Sequence, residues 1–378
     1  MKVALVHDYL KEYGGAERVL ETLHEIWPEA PVYTLVSLPK FLGPHRKRLK
    51  DWRVKPLLPG WLPLIGKLIS PLRLLAPILF SRLDLTDYDL VIVSATGAYN
   101  PNLIKTKTGS HLCYCHTPPR YLYGLPTARE WKKYWWFRIP AEIANHFLRL
   151  IDFRSAQKVD YFIANSKNTA GRIKKFYRKE ATVIYPPVGI PEQSAKSKAQ
   201  REKYFLAGGR ITRAKRMDLA IEACNQLKLP LKVFGRTFAG YGEELKKMAR
   251  LAEDGESRRT GPTIEFLGEV TDERKAELMA GCQAFIFCNL EEDFGIMPVE
   301  VQACGRPVIS LRQGGLRESL AEGKTGEFFS EPTVESLVGV LKRFDPKKYK
   351  REDCLAQAKK FSKERFKREI EEFVKKNA

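Results

Sequence analysis

The stretch NLEEDFGIMPVEVQACGRPVISLRQGGLRE, Asn289 to Glu318, decides how the rest of this 378-residue chain is read. Three carboxylates, Glu291, Glu292 and Asp293, lead into Phe294, Gly295 and Ile296. A short helix is predicted from Pro298 with Glu300 in its first turn, since proline is tolerated at a first helical position and Gly305 supplies a stop. Pro307 to Ser310 reads as a strand, and Gly314-Gly315 turns the chain into a second helix led by Arg317-Glu318. Glu292 and Glu300 flank seven residues across a loop-to-helix junction and can converge on one small polar ligand. Sugar hydroxyls, as paired donors and acceptors, are what carboxylates bind well.

Glu292, seven residues, Glu300, then Ala303-x-Gly305-x-Pro307-Val308-Ile309 and Gly314-Gly315-x-x-Glu318 together resemble the donor-site signature of family 4 glycosyltransferases. Two glutamates at that spacing are a weak signal alone. The Phe-Gly, Gly-x-Pro-Val-Ile and Gly-Gly elements in the same order make the signal specific. The resemblance covers nearly the whole chain, most specifically Gly208 to Glu318. It implies an α/β protein of the GT-B fold, with two Rossmann-like domains facing across a cleft and a C-terminal helix returning to the first domain. The expected layout is an acceptor domain at 1–190 with 361–378 packing back onto it, a linker at 191–201 and a nucleotide-sugar donor domain at 202–360.

Length and composition are compatible with that layout, since 378 residues suffice for two domains with their own cores. The formal charge of +20 is unevenly placed: residues 1–200 hold 31 Lys and Arg against 16 Asp and Glu. The N-terminal half is therefore expected to meet something anionic: nucleic acid, a membrane face or a diphosphate. Seven cysteines without paired spacing argue against a disulfide framework and for a reducing compartment. Met1-Lys2 leads straight into an apolar strand with no cleavable signal pattern, so a cytoplasmic location is expected. Trp61 to Phe80 is the longest apolar region, but Lys67, Arg73 and three prolines make it a poor spanning helix. It reads equally as an interfacial segment on a membrane and as helices of the N-terminal core.

Taken in order, KVALVHDY (Lys2 to Tyr9) reads as a buried parallel strand, followed by Gly14-Gly15 and a helix from Ala16 to Trp27. Strand, glycine turn and helix N-terminus make an anion site; the resemblance puts Gly14 and Gly15 near the donor's phosphates. Pro31 to Val36 and Asp89 to Ala95 are further strands, the second ending in small residues where open α/β sheets bind ligands. His111, Cys113, Cys115 and His116 invite a metal reading. Spacings of one residue place alternate side chains on opposite faces of a strand, which does not assemble a tetrahedral site. The resemblance instead implies that His116 faces the donor sugar; a structural histidine is the other reading. Trp131 to Arg138 interleaves aromatic residues with cations, the composition of a membrane-interface belt or of a stacking surface for single strands. Beyond Tyr161 to Ser166 and Val183 to Val188, a polar stretch reads as the linker.

The second half restarts with YFLAGG, ending at Gly209, and Arg210 and Lys215 flank the next turn, where cations can neutralise a leaving diphosphate. Strands follow at Leu231 to Gly235, Ile264 to Val270 and Ala284 to Asn289, and Arg365 to Lys376 closes the chain as an amphipathic helix with Phe366, Ile370 and Phe373 on one face. The resemblance implies Val270 as a nucleobase contact, Glu300 on the ribose, and Glu292 with backbone N–H groups around Phe294, Gly295 and Ile296 on the sugar. His116, Glu292, Arg210 and Lys215 form the implied catalytic set. The sequence is read as offering no compact Asp-x-Asp metal site, so no metal or other cofactor is expected. The opening HDYLKEYGGAERVL and the run HTPPRYLYG resemble bacterial and archaeal mannosyltransferases of cell-surface glycan assembly such as lipopolysaccharide. They imply GDP-mannose as donor and a glycan or polyprenyl-diphosphate-linked acceptor at the cytoplasmic face of the membrane. UDP-sugar donors, a GT-B-shaped epimerase and a basic nucleic-acid-binding protein are the alternatives; no nucleic-acid motif is found.

Overall fold

The computed structural model describes residues 1–62, 65–66, 68, 70–127, 135–189, 202–238, 240–253 and 264–377, side chains at 44, 135–137 and 251–253 excepted. The described residues divide into two compact units: one from Met1–Leu125, Trp131–Pro187 and Lys363–Ala378, the other from Val188–Ser362 together with Pro126–Glu130. The expected linker lies outside the described residues, as do most of the Trp131 to Arg138 side chains.

The first unit is built on a parallel sheet. Its strands are β1 (Val3–His7), β2 (Val32–Val36), β3 (Val54–Leu58), β4 (Leu90–Ala95), β5 (His111–Cys115), β6 (Tyr161–Ala164) and β7 (Ala181–Val183). They lie in the order β3-β2-β1-β4-β5-β6-β7. Strands covered on both faces need apolar residues at every position, and β1 supplies them: Ala4 and Val6 enter one core while Val3 and Leu5 enter the other. Helix α1 (Gly15–Ile26) follows β1, α2 (Leu72–Arg82) precedes β4, and α3 (Trp135–Gln157) and α4 (Lys167–Tyr177) bracket β6. The terminal helix Lys363–Asn377 also belongs to this unit, burying Phe366, Ile370 and Val374 beside Leu5 and Leu20. Phe373 sits at the edge, its ring against Tyr161; the helical period puts Val374, not Phe373, in line with Ile370. Lys363 and Lys367 both pair with Glu25 of α1.

β5 corrects the reasoning about the cysteines. Residues two apart on a strand share a face, so Cys113 and Cys115 enter one core while Leu112 and Tyr114 enter the other. Asn102 binds His111 Nε2 through its oxygen at 3.1 Å and donates to Cys113 Sγ at 3.4 Å. Burial pushes the Cys113 thiol up to about 12. Among the described residues no three His, Cys, Asp or Glu are grouped to hold a metal, and all seven cysteines are free and buried. Among the described residues of the region from Trp61 to Phe80, helix begins at Leu72; Leu72, Ala76 and Phe80 enter the core and Leu74, Leu75 and Ile78 stay exposed. No helix among the described residues is long and apolar enough to cross a membrane.

The second unit repeats the plan with β8 (Phe205–Gly208), β9 (Leu231–Phe234), β10 (Ile264–Gly268), β11 (Phe285–Phe287), β12 (Val308–Leu311) and β13 (Gly326–Phe329) in the parallel order β10-β9-β8-β11-β12-β13. Both sheets reverse strand order at one place, between β1 and β4 and between β8 and β11. In open parallel sheets such reversals leave a crevice at the carboxyl ends, where ligands bind.

Candidate active site

The quoted stretch lies at the second reversal. β11 ends at Phe287, and Asn289 Nδ2 donates to Glu292 Oε2 at 2.6 Å. β8 ends at Gly208, and the turn after it carries Arg210, which is exposed, and Lys215. Lys215 Nζ reaches the same Glu292 oxygen at 2.7 Å. Leu290 N–H donates to Ala214 O at 3.0 Å, an ordinary length for such a bond, and ties the two loops together. Glu292 and Lys215, separated by 77 residues in sequence, thus form one half-buried pair. Glu291 beside them has φ of 50°, a conformation that costs a non-glycine residue on the order of 1–3 kcal/mol and collects at functional sites.

Backbone packing fixes where Glu292 stands. Gly315 N–H donates to Glu292 O at 2.9 Å, and a Cβ on Gly314 would sit 2.1 Å from that same oxygen. The glycine pair is therefore a close approach of two backbones, which a side chain would prevent.

The helix after this loop starts earlier than the sequence suggests. Gly295, at φ 88°, caps a helix from Ile296 to Ala303, so Pro298 is its third residue and Glu300 stands in the second turn. Proline still fits, because the first-turn N–H groups have no intrahelical acceptor. Gly305, at φ 75°, follows its end. Glu300 is buried, and Lys275 Nζ lies 3.2 Å from its Oε1. Lys275 comes from the helix Asp272–Gly281, which begins just after Val270. Val270 and Met297 are half-buried against one core. The Phe294 ring is buried edge-on against Phe361 at 5.2 Å, leaving only its backbone for a ligand. Gly209 has φ of 113° beside Met297. Lys275 and Asn289 were not singled out from sequence; their only signal is a polar residue at the entry to a helix and at the end of a buried strand.

The first unit gathers its own polar group at the carboxyl ends of β1, β4 and β5. Asp8 is fully buried and accepts from Thr96 N, Thr96 Oγ1 and Tyr99 N, fixing the loop after β4. Burial, only partly offset by neighbouring His7, holds the Asp8 carboxyl above its usual range. His116 follows β5 and is buried, its Nε2 2.9 Å from Ser94 Oγ. Burial, then His7, lowers its pKa to about 3, so the ring is neutral. Gly14 and Gly15 open α1, yet the Gly14 N–H is already taken by Glu17 Oε2 at 2.8 Å. That group, offered to an anion by the sequence reading, is closed by the helix's own carboxylate. In the sequence His7, Asp8, Glu17 and Ser94 carry no signal beyond their places in two strands and a helix.

Comparison with known proteins agrees with both halves. Residues 13–190 match the profile of the family described as Glycosyltransferase Family 4, and residues 190–361 that of Glycosyl transferases group 1. The chain is 24% identical to the alpha-1,3/1,6-mannosyltransferase ALG2 of Mus musculus, across 88% of this chain and 84% of that one. It is 24% identical to ALG2 of Dictyostelium discoideum, across 68% and 66%. Two similar solved structures are Anabaena Alr3699/HepE in complex with UDP, with a TM-score of 0.69 at 19% identity over the full length of both chains, and sucrose-phosphate synthase from Thermosynechococcus elongatus, with 0.71 at 15% over 100% and 99%. The fold is GT-B.

Proposed function

This chain belongs to glycosyltransferase family 4, and from that membership we propose that it moves mannose from GDP-mannose to a lipid-linked or glycan acceptor with retention of configuration. The observation that carries the reading is the Glu292–Lys215 pair at the sheet reversal, held by Asn289, with Arg210 in the same turn after β8 as Lys215. Glu292 offers carboxylate oxygens to sugar hydroxyls. Lys215, which already orders Glu292, and Arg210 supply positive charge where a leaving diphosphate develops negative charge, the largest electrostatic contribution such a site can make. Glu300, anchored on one oxygen by Lys275, is suited to the ribose hydroxyls, with Val270 against the base. No protein nucleophile is assigned. With two cations in place, the transfer needs neither a metal nor another cofactor. Mannose is favoured by the resemblance of HDYLKEYGGAERVL to mannosyltransferases and by the ALG2 relatives.

A peripheral site on the cytoplasmic face of a membrane suits a lipid-linked acceptor. Helix α3 exposes Ile139, Ile143, Phe147 and Leu150, four large apolar residues on one helical stripe, and α2 exposes Leu74, Leu75 and Ile78. Both helices pack against residues 101–103. Residues 61–82 hold Lys67, Arg73 and Arg82 and no acid. Apolar residues bordered by cations fit an anionic bilayer surface.

The test is transfer of labelled mannose from GDP-mannose to a polyprenyl-diphosphate-linked glycan in EDTA. Full transfer in chelator is expected. Loss in EDTA with recovery on adding divalent ions would remove Arg210 and Lys215 from the leaving-group role.

A further inference from the structure

At the first sheet reversal a buried chain of polar groups runs through residues that the reaction scheme above does not use. The register pairs His7 directly with Ser94 across β1 and β4, and both are fully buried. His7 Nδ1 lies 3.0 Å from the Ser94 carbonyl oxygen and 3.2 Å from Ser94 Oγ. A carbonyl oxygen only accepts, so Nδ1 of His7 carries a hydrogen. That N–H points at both Ser94 oxygens, which leaves the Ser94 hydroxyl hydrogen free to go to His116 Nε2, 2.9 Å away, where either atom can be the donor according to the histidine tautomer. A neutral imidazole has one donor and one acceptor nitrogen. With Nε2 accepting, the proton of His116 sits on Nδ1. At the far end His7 Nε2 makes no hydrogen bond and faces Glu17 Oε1 at 3.6 Å. The other oxygen of Glu17 holds the Gly14 N–H. One sequence of contacts therefore connects the glycine turn to His116.

We propose that Ser94, oriented by His7, is a positioning residue that fixes His116 as its Nδ1–H tautomer, so that His116 meets the donor sugar as a hydrogen-bond donor. The proposal rests on the reading of His116 as a donor-facing residue. Burial, then His7, lowers the pKa of His116 to about 3, so the ring carries a single proton across the working pH range and the hydrogen bond from Ser94 decides which nitrogen holds it. Which nitrogen of an imidazole is protonated is set by the hydrogen bond that the other one makes.

The experiment combines a spectrum with kinetics. Protein labelled with 15N-histidine has six imidazoles to resolve, and His116→Gln identifies the relevant one. Two-bond 1H–15N correlations of the wild type are expected to show His116 protonated at Nδ1 from pH 5 to 8. Ser94→Ala is expected to lose that tautomer and to lower kcat about tenfold, with the donor KM within about twofold, the size of one hydrogen bond made in the transition state. Ser94→Thr, which keeps the hydroxyl, is expected to restore both the spectrum and most of kcat. A wild-type His116 protonated at Nε2 overturns the proposal whatever the variants do, including a variant that fails to fold. So does an unchanged kcat in Ser94→Ala. Absence of mannosyl transfer by the wild type would instead count against the proposed function, and the spectrum would still decide the tautomer.

Discussion

Substituting alanine for Gly314 tests how closely the glycine turn sets the position of Glu292. The new Cβ would stand 2.1 Å from Glu292 O and 3.1 Å from Glu292 N and C. Non-bonded carbon contacts settle at about 3.5 Å, so the Glu292 peptide has to retreat by roughly 1 Å. A displacement of that size in a catalytic group costs about a hundredfold in rate, or about 2.7 kcal/mol of transition-state stabilisation. The backbone at Gly314 is left-handed, φ 58°, which adds about 1–2 kcal/mol of strain for alanine. Gly323 separates the two effects, since its φ is 73° and a Cβ there meets nothing within 4 Å. Gly323→Ala should therefore show the strain alone, as a lower denaturation midpoint with unchanged turnover. Gly314→Ala should show both, with kcat/KM for GDP-mannose down about a hundredfold. Equal kcat/KM in the two variants, within about threefold, would refute the reasoning.

Three further outcomes are expected. Asp152 is fully buried, accepting from Asn100 Nδ2, Tyr123 OH and Tyr177 OH, and burial raises its pKa from 3.8 to about 7 against those hydrogen bonds. A carboxyl whose folded pKa lies above its unfolded one costs stability as it ionises. That cost is absent below pH 4, grows between pH 4 and 7 and reaches on the order of 4 kcal/mol above it. Asp152→Asn should therefore gain on the wild type in urea midpoint as pH rises from 5 to 8, and a constant difference would contradict the assignment. Arg210→Ala should lower kcat about 10- to 100-fold with little change in KM, measured by single-turnover transfer; an effect confined to KM would assign Arg210 to ground-state binding. Replacing exposed Ile143 and Phe147 with serine should weaken partition onto vesicles rich in anionic lipid at least tenfold, each apolar side chain being worth about 1.5–3 kcal/mol when buried; unchanged partition would remove α3 from the membrane contact.

The fold was legible wherever a strand is buried on both faces, because β1, β4, β5 and β11 are continuous apolar runs ending in small or polar residues. β3 was not legible. As the edge strand, with Lys55 and Pro56 exposed, it has neither a run nor an alternation to announce it. Glu292 and Lys215 could be named from local motifs, and their pairing followed once β8 and β11 proved to be neighbours. The start of the helix holding Glu300 was misjudged because a left-handed glycine can begin a helix as well as end one, and the proline drew the boundary two residues late. His7, Ser94 and Glu17 escaped for another reason. The His7–Ser94 contact arises from strand register between residues 87 apart, which no local spacing encodes, while Glu17 on the following helix takes the Gly14 N–H three residues before it. Cys113 and Cys115, two apart on one strand, share a face, so strand alternation does not separate them.

The measurement that bears most directly on the account is isothermal titration with GDP, UDP, GDP-mannose and UDP-glucose in EDTA, on the wild type and on Glu300→Ala. The account predicts saturable binding of GDP and GDP-mannose by the wild type without metal, weakened at least tenfold in the variant, and weaker binding of the uridine pair. Tighter binding of UDP and UDP-glucose would contradict the donor assigned here, and no binding of any of the four by the folded protein would contradict the donor site between Asn289 and Glu318.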